Sequence, residues 1–203
     1  SRPLAFEDGA NVGQALIAWP TEHVVKCLVF HHPDDAAELA ARQIETVQNL
    51  HDACRRSGHE LLLEVIPPAD HPQDESTVVR AVQQIYGAGV RPDWWKLPPP
   101  GPRAWTALQD VIASNDPWCR GVLLLGLEAR EDQLWDAFCV AARQPLCKGF
   151  AVGRTLFATA AQAWFAGHLD DSGVIADVAT RYQRLIRMWQ QARQPMPLTT
   201  TAD

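Results

Sequence analysis

Three ionisable residues sit inside short apolar runs, where chains seldom leave them: Lys26 in "VVKCLVF", Glu64 in "ELLLEVI" and Lys96 in "PDWWKLPPP". Charged side chains are rarely enclosed without a partner or a task. Each run has the length and the β-branched, leucine or aromatic content of a strand, so alternate side chains share a face. Lys26 then lies with Val24 and Leu28, Glu64 with Leu62 and Ile66, and Lys96 with Trp94 and Pro98. If Leu63 and Trp95 face covering helices, two cations and one anion point into the same confined space. Burial and a neighbouring ammonium both favour the uncharged form of an amine, and an uncharged amine attacks a carbonyl carbon. The protonated imine that results is an electron sink for carbon–carbon cleavage, and a carboxylate in an apolar strand can move the protons. The competing reading is a structural bridge, Lys26 with Glu64 or Lys96 with Glu64.

A second group lies near the end of the chain. "KGFAVGRTLF" reads as a strand running through Gly153 into a helix with Arg154 at the junction, and "LLLGLEA" ends similarly at Gly126. Small residues that bare backbone N–H groups at a helix N-terminus make an anion site, and arginine clamps phosphate through two parallel hydrogen bonds. Each glycine could equally serve a tight turn.

The elements that must position these residues alternate along the chain. "VVKCLVF" is stopped by "HHPDD", and the next stretch carries Leu39, Ile44, Val47, Leu50 and Cys54 at helical spacing. The pattern recurs: "ELLLEVI", "DWWKL", "RGVLLLGL" and "KGFAVGR" are each followed by a helical segment, and a last amphipathic helix spans about 174–193. Five strand-then-helix units without a hairpin signal predict an α/β fold with a parallel sheet. An open doubly wound sheet and a (β/α)8 TIM barrel both fit. The polar strand ends favour the barrel, whose strand C-termini converge on one mouth, and no G-x-G-x-x-G loop follows any strand. A barrel takes eight units, so these five read as its strands 4–8, within a domain of residues 1–194 followed by a disordered tail, 195–203. The opening "SRPLAFEDG" lacks an initiator methionine, which places the other three units upstream.

Composition sets the outer limits. The chain has 203 residues, 47% hydrophobic, enough for one substantial core. A formal charge of -6 gives no general attraction to nucleic acid or anionic membranes. There is no signal peptide and no apolar run near the roughly 20 residues of a membrane helix, so the expectation is a soluble, cytoplasmic protein. Five cysteines without a C-x-x-C pair read as reduced thiols. In "HHPDD", His31, His32, Asp34 and Asp35 could offer metal ligands. Adjacent strand histidines face opposite ways, however, and Pro33-Asp34-Asp35 reads equally as a turn and helix cap, so no metal or other cofactor is expected. His23, His51, His59, His71 and His168 read as surface residues.

Taken together, "VVKCLVFHHPDD", "LLLEVIPP", "PDWWKLPPP", "RGVLLLGL" and "KGFAVGRTLF" resemble the C-terminal domain behind the sugar kinase in bacterial bifunctional inositol-catabolic proteins, 5-dehydro-2-deoxygluconokinase fused to 5-dehydro-2-deoxyphosphogluconate aldolase. The resemblance covers nearly the whole chain. That domain is in turn similar to class I tagatose-bisphosphate aldolases, a (β/α)8 family with a Schiff-base lysine on strand six, an acid/base glutamate on strand five, an assisting lysine on strand four and a phosphate-binding arginine after strand eight. By motif, the resemblance assigns these roles to Lys96, Glu64, Lys26 and Arg154, with Gly126 and Gly153 bordering the phosphate. It implies retro-aldol cleavage of 2-deoxy-5-keto-gluconate 6-phosphate to dihydroxyacetone phosphate and malonate semialdehyde. The implied partners are a small sugar phosphate, an N-terminal remainder of the barrel and a sugar-kinase domain. The alternative is a non-catalytic sugar-phosphate-binding module regulating that kinase. Without the first three strands both sheet edges are bare, which predicts pairing with a partner, a homo-oligomer among them, or poor solubility.

Overall fold

The five apolar runs all form strands. The computed structural model describes residues 2–6, 11–126 and 131–194, and the tail expected at 195–203 lies outside these. In chain order the elements are α1 (Val12–Ile17), β1 (Val25–Phe30), α2 (Ala37–Ser57), β2 (Leu61–Ile66), α3 (Thr77–Gly87), β3 (Trp94–Leu97), α4 (Pro102–Asn115), β4 (Gly121–Leu125), α5 (Glu131–Ala141), β5 (Cys147–Ala151), α6 (Arg154–Phe165) and α7 (Asp171–Ala192). Only α1, a helix of six residues, has no counterpart in the sequence reading, being too short to show a period.

The described residues up to Leu125, together with Leu146–Ala151, form one compact unit; those of Gly126–Pro145 and from Val152 onward form a second. All five strands belong to the first unit. They pair in parallel in the order β1-β2-β3-β4-β5. This order decides between the two architectures. A doubly wound sheet reverses direction at a switch point, whereas here every crossover steps one strand the same way. Right-handed crossovers then place α2, α3 and α4 on a single face, as in the wall of a (β/α) barrel. The chain has an α/β fold of partial TIM-barrel type.

Burial follows the alternation. Val25, Cys27 and Val29 of β1, Leu61, Leu63 and Val65 of β2, Trp95 and Leu97 of β3, and Val122 and Leu124 of β4 are buried. The apolar stripes of α2 (Val47, Leu50, Cys54), α3 (Val82, Ile85, Tyr86) and α4 (Trp105, Leu108, Ile112) complete this core. Within it Trp95 Nε1 donates to Tyr86 Oη at 2.8 Å, which leaves neither polar atom stranded. α2 ends on Gly58, at a left-handed φ of 77°, after Arg55 and Arg56 in its last turn. At the N-terminal end of the strands, Asp93 accepts from Leu61 N at 2.9 Å, and Glu60 accepts from Trp94 Nε1 at 2.7 Å and pairs with Arg120 at 2.7 Å. These bonds pin the register of β2, β3 and β4 from below.

In the second unit α7 packs against α5 and α6, with Phe138 edge-on to Trp189 at 5.4 Å. Asp170 caps α7 by accepting from Gly173 N at 2.8 Å. No described helix is long and apolar enough to cross a membrane.

The pairing of β4 with β5 slips by one residue. Val122 stands opposite Cys147 and Leu123 opposite Gly149, leaving Lys148 as the extra residue of a β-bulge. Beside it Gly121 adopts φ 143°, and a Cβ there would lie 2.6 Å from Lys148 Cγ and 2.7 Å from the Leu146 carbonyl oxygen. Both conformation and space therefore require glycine. Gly121→Ala is expected to lower stability by about 2 kcal/mol, read as a reduced urea midpoint at unchanged m-value.

Candidate active site

Register sets the centre of the site. Glu64 stands opposite Lys96 on one side and opposite Leu28 on the other, and Lys26 lies two residues before Leu28 on the same face. Lys26 Nζ is 2.7 Å from Glu64 Oε2, and Lys96 Nζ donates to the same oxygen at 3.1 Å. One carboxylate oxygen thus holds both ammonium groups. The side chain of Glu64 is 3% exposed, Lys96 14% and Lys26 47%. A carboxylate this enclosed is costly to desolvate unless it is paired, and the two lysines supply the pairing. The convergence expected from alternation is met, and so is the ion pairing of the competing reading. Neighbouring side chains of this face on β1 to β4, Leu28, Phe30, Leu62, Ile66, Trp94 and Leu123, are apolar and half-buried. The arrangement provides an amine, a proton-carrying group bonded to it and a second cation over a dry wall.

Gly126, Gly153 and Arg154 belong to the second unit. Gly153 precedes the first turn of α6 and its carbonyl accepts from Leu156 N at 2.8 Å; Arg154 is the first helical residue. A Cβ on Gly126 would lie 2.6 Å from Val152 Cγ1 and 3.1 Å from Thr155 Oγ1. Gly126 therefore abuts the residues that flank Gly153 and Arg154, and the three are neighbours at one helix N-terminus. Close packing by itself explains the glycine at 126.

The "HHPDD" turn is a knot of structural bonds. His31 Nε2 donates to Gln84 Oε1 at 2.9 Å, an orientation fixed because the Gln84 amide nitrogen donates to the Pro33 carbonyl at 2.8 Å. His32 Nδ1 accepts from Asp34 N at 3.1 Å while Nε2 donates to the Pro72 carbonyl at 3.0 Å. Asp35 accepts from His32 N at 2.9 Å, forms an ion pair with Arg2 and lies 3.3 Å from His71 Nε2. Among the described residues no group of three or more histidine, cysteine or acidic side chains could hold a metal ion.

His59, expected at the surface, is buried. Gly58 turns it inward, where Nδ1 meets Ser57 Oγ at 2.8 Å and Nε2 meets the Pro20 carbonyl at 3.1 Å. All five cysteines are free thiols; burial pushes Cys27 and Cys119 up to about 11 and Cys54 up to about 12, so none of these three is a thiolate at neutral pH. The β-bulge that leaves Lys148 as the extra residue of β5 escaped the sequence reading, because no single-strand pattern displays it.

A family model described as an uncharacterized protein conserved in bacteria (DUF2090) matches residues 1–193. The chain belongs to that family. Among solved structures it is similar to the crystal structure of Cgl0159 from Corynebacterium glutamicum, at 19% sequence identity and a TM-score of 0.51 over 81% of this chain. The chain spans 50% of that protein's length, and at this identity the likeness establishes the fold alone. No curated protein sequence matches the chain.

Two histidines, His31 and His51, give the fold a pH signature. Burial holds His31 below the ordinary imidazole value, outweighing the Gln84 hydrogen bond and the Asp35 carboxylate, and burial likewise lowers His51. The unfolded chain regains a value of about 6.5 and so binds more protons than the native state as pH falls past it. Stability should therefore drop on acidification. The urea midpoint is expected to fall between about pH 7.5 and about pH 5.5, less steeply in His31→Gln. Burial acts to raise Asp35, but the bonds from Arg2 and His32 N outweigh it and hold the carboxyl below its ordinary value, so its contribution is lost only below about pH 4.

Proposed function

We propose that the chain carries the reacting wall of a class I, Schiff-base aldolase acting on a keto sugar-acid phosphate, 2-deoxy-5-keto-gluconate 6-phosphate. The observation that supports this best is the single Glu64 oxygen shared by Lys96 and Lys26 among apolar neighbours on β1 to β4. Lys96 in its uncharged form attacks the keto carbon, and loss of water gives the protonated imine. Glu64 takes the proton of the hydroxyl two carbons away; the carbon–carbon bond breaks, its electrons pass to the imine as an enamine, and malonate semialdehyde leaves. Glu64 returns the proton to the enamine carbon, and water releases dihydroxyacetone phosphate and the free amine. Lys26 balances the charge of Glu64 throughout. Gly126, Gly153 and Arg154 are assigned to the phosphate on the resemblance and on their meeting at the start of α6.

The proposal extends to the whole protein: the bare edges of β1 and β5 are completed by further strand–helix units, and a sugar kinase supplies the phosphorylated substrate.

Borohydride reduction of the full-length protein with this substrate is expected to leave a covalent adduct on Lys96. Lys96→Arg should lose the adduct and at least about 10³-fold in cleavage rate, because arginine stays protonated. Glu64→Gln should slow turnover by roughly 10²- to 10⁴-fold while the protein still folds. Ligand protection without an adduct or cleavage would replace the aldolase with the sugar-phosphate-binding module that regulates the kinase, and substantial cleavage by Lys96→Arg would overturn the imine at Lys96.

A further inference from the structure

We infer that α6 and α7 form the surface on which two copies of the protein meet, with the two α7 helices antiparallel across a two-fold axis. Five of the nine large apolar side chains left exposed among the described residues lie on these helices: Phe157, Trp164 and Phe165 on α6, and Ile175 and Tyr182 on α7. Phe165 is 81% exposed and Ile175 69%. The group is continuous where the helices join. The rings of Trp164 and Phe165 pack at 5.0 Å, and Trp164 Nε1 donates to Asp171 Oδ1 at 2.8 Å, one helical turn before Ile175. Together the five side chains leave about 600 Å² of apolar surface open. That is the upper end of what a monomer carries and roughly three-quarters of one partner's share in a standard interface.

The seam on α7 shows what kind of element covers it. Leu185 and Trp189 are buried, Trp189 edge-on to Phe138 of α5, and a surface helix needs only that one apolar stripe. α7 carries a second. Ile175, Ala179, Tyr182 and Ile186 recur at intervals of four, three and four residues; the first three are exposed and Ile186 is half-buried. This spacing keeps a single seam along the helix and matches another helix lying nearly parallel to its axis.

The charges at its ends identify that helix. Asp170 and Asp171 stand at the start of α7, Arg187 and Arg193 at its end, and all four are exposed. The polarity suits the dipole of α7 itself, and it makes the helix complementary to its own copy in one direction only. An antiparallel copy sets each acidic start against a basic end, whereas a parallel copy sets like against like. Two-fold symmetry demands this self-complementarity, because every contact is made twice. Pairing about the middle of the seam brings Ile175 against Ile186 across the axis, and the small Ala179 leaves room for Tyr182. The inference is independent of the aldolase reading. It also differs from strand pairing at the edges of β1 and β5, which belong to the first unit.

Sedimentation equilibrium of the full-length protein tests it. The wild type is expected to dimerise, and Phe165→Glu combined with Ile175→Glu to raise the dissociation constant at least about 100-fold, since symmetry counts each substitution twice. Both side chains are exposed, so the circular dichroism and urea midpoint of this variant should match the wild type. Charge reversal supplies a second measurement that decides the question even if that variant fails to fold. Asp171→Arg or Arg187→Asp alone should weaken association about tenfold, and the two together should restore most of it. A monomeric wild type, a folded glutamate variant with the wild-type dissociation constant, or a double reversal no tighter than the single ones overturns the inference.

Discussion

The site depends on one carboxylate oxygen. Two ammonium groups within hydrogen-bonding reach of a common point repel each other, and a negative charge between them reverses the sign of that interaction. Glu64 supplies it from the middle of β2, enclosed by apolar neighbours, so that removing it would leave two cations facing each other over a dry surface. Nothing about this requires a catalytic purpose, since a buried triad can simply be structural. What distinguishes this one is asymmetry. Lys96 is nearly enclosed and Lys26 is half open, so the amine and its counter-cation meet solvent, and any ligand, on different terms.

The sheet makes that triad possible because its strands run in sequence order. Each strand pairs with its chain neighbours, so residues at the same depth in successive units become lateral neighbours. The covering helices take one face, where Val25, Leu63, Trp95 and Val122 form a fully apolar layer, and the charged residues are confined to the other. The pins beneath, Asp93 on Leu61 and Glu60 between Trp94 and Arg120, fix that depth from the start of the strands.

Much of this was legible in the chain itself, and the exceptions share a cause. Strand-length apolar runs and helical periods gave the elements, and a period of two put Lys26, Glu64 and Lys96 on common faces. Strand order was not legible, because order is a property of pairing, and only pairing separated the barrel wall from a doubly wound sheet. The bulge at Lys148 was hidden for the same reason: an extra residue exists only relative to a partner strand. The partners of "HHPDD" come from Arg2, Pro72 and Gln84, which no local pattern joins to it. His59 looked superficial because a polar residue beside a glycine usually is, yet the left-handed turn at Gly58 folds it under.

Strand β1 carries Cys27 immediately after Lys26, and the two side chains leave the backbone in opposite directions. The sulfur is sealed beneath the helices while the amine looks outward. An alkylating reagent can thus reach position 27 only when the wall itself parts from its helical covering, whereas chemistry at the amine leaves that seal untouched. The molecule carries its own gauge of opening, one that reports breathing of the scaffold independently of whatever occupies the site.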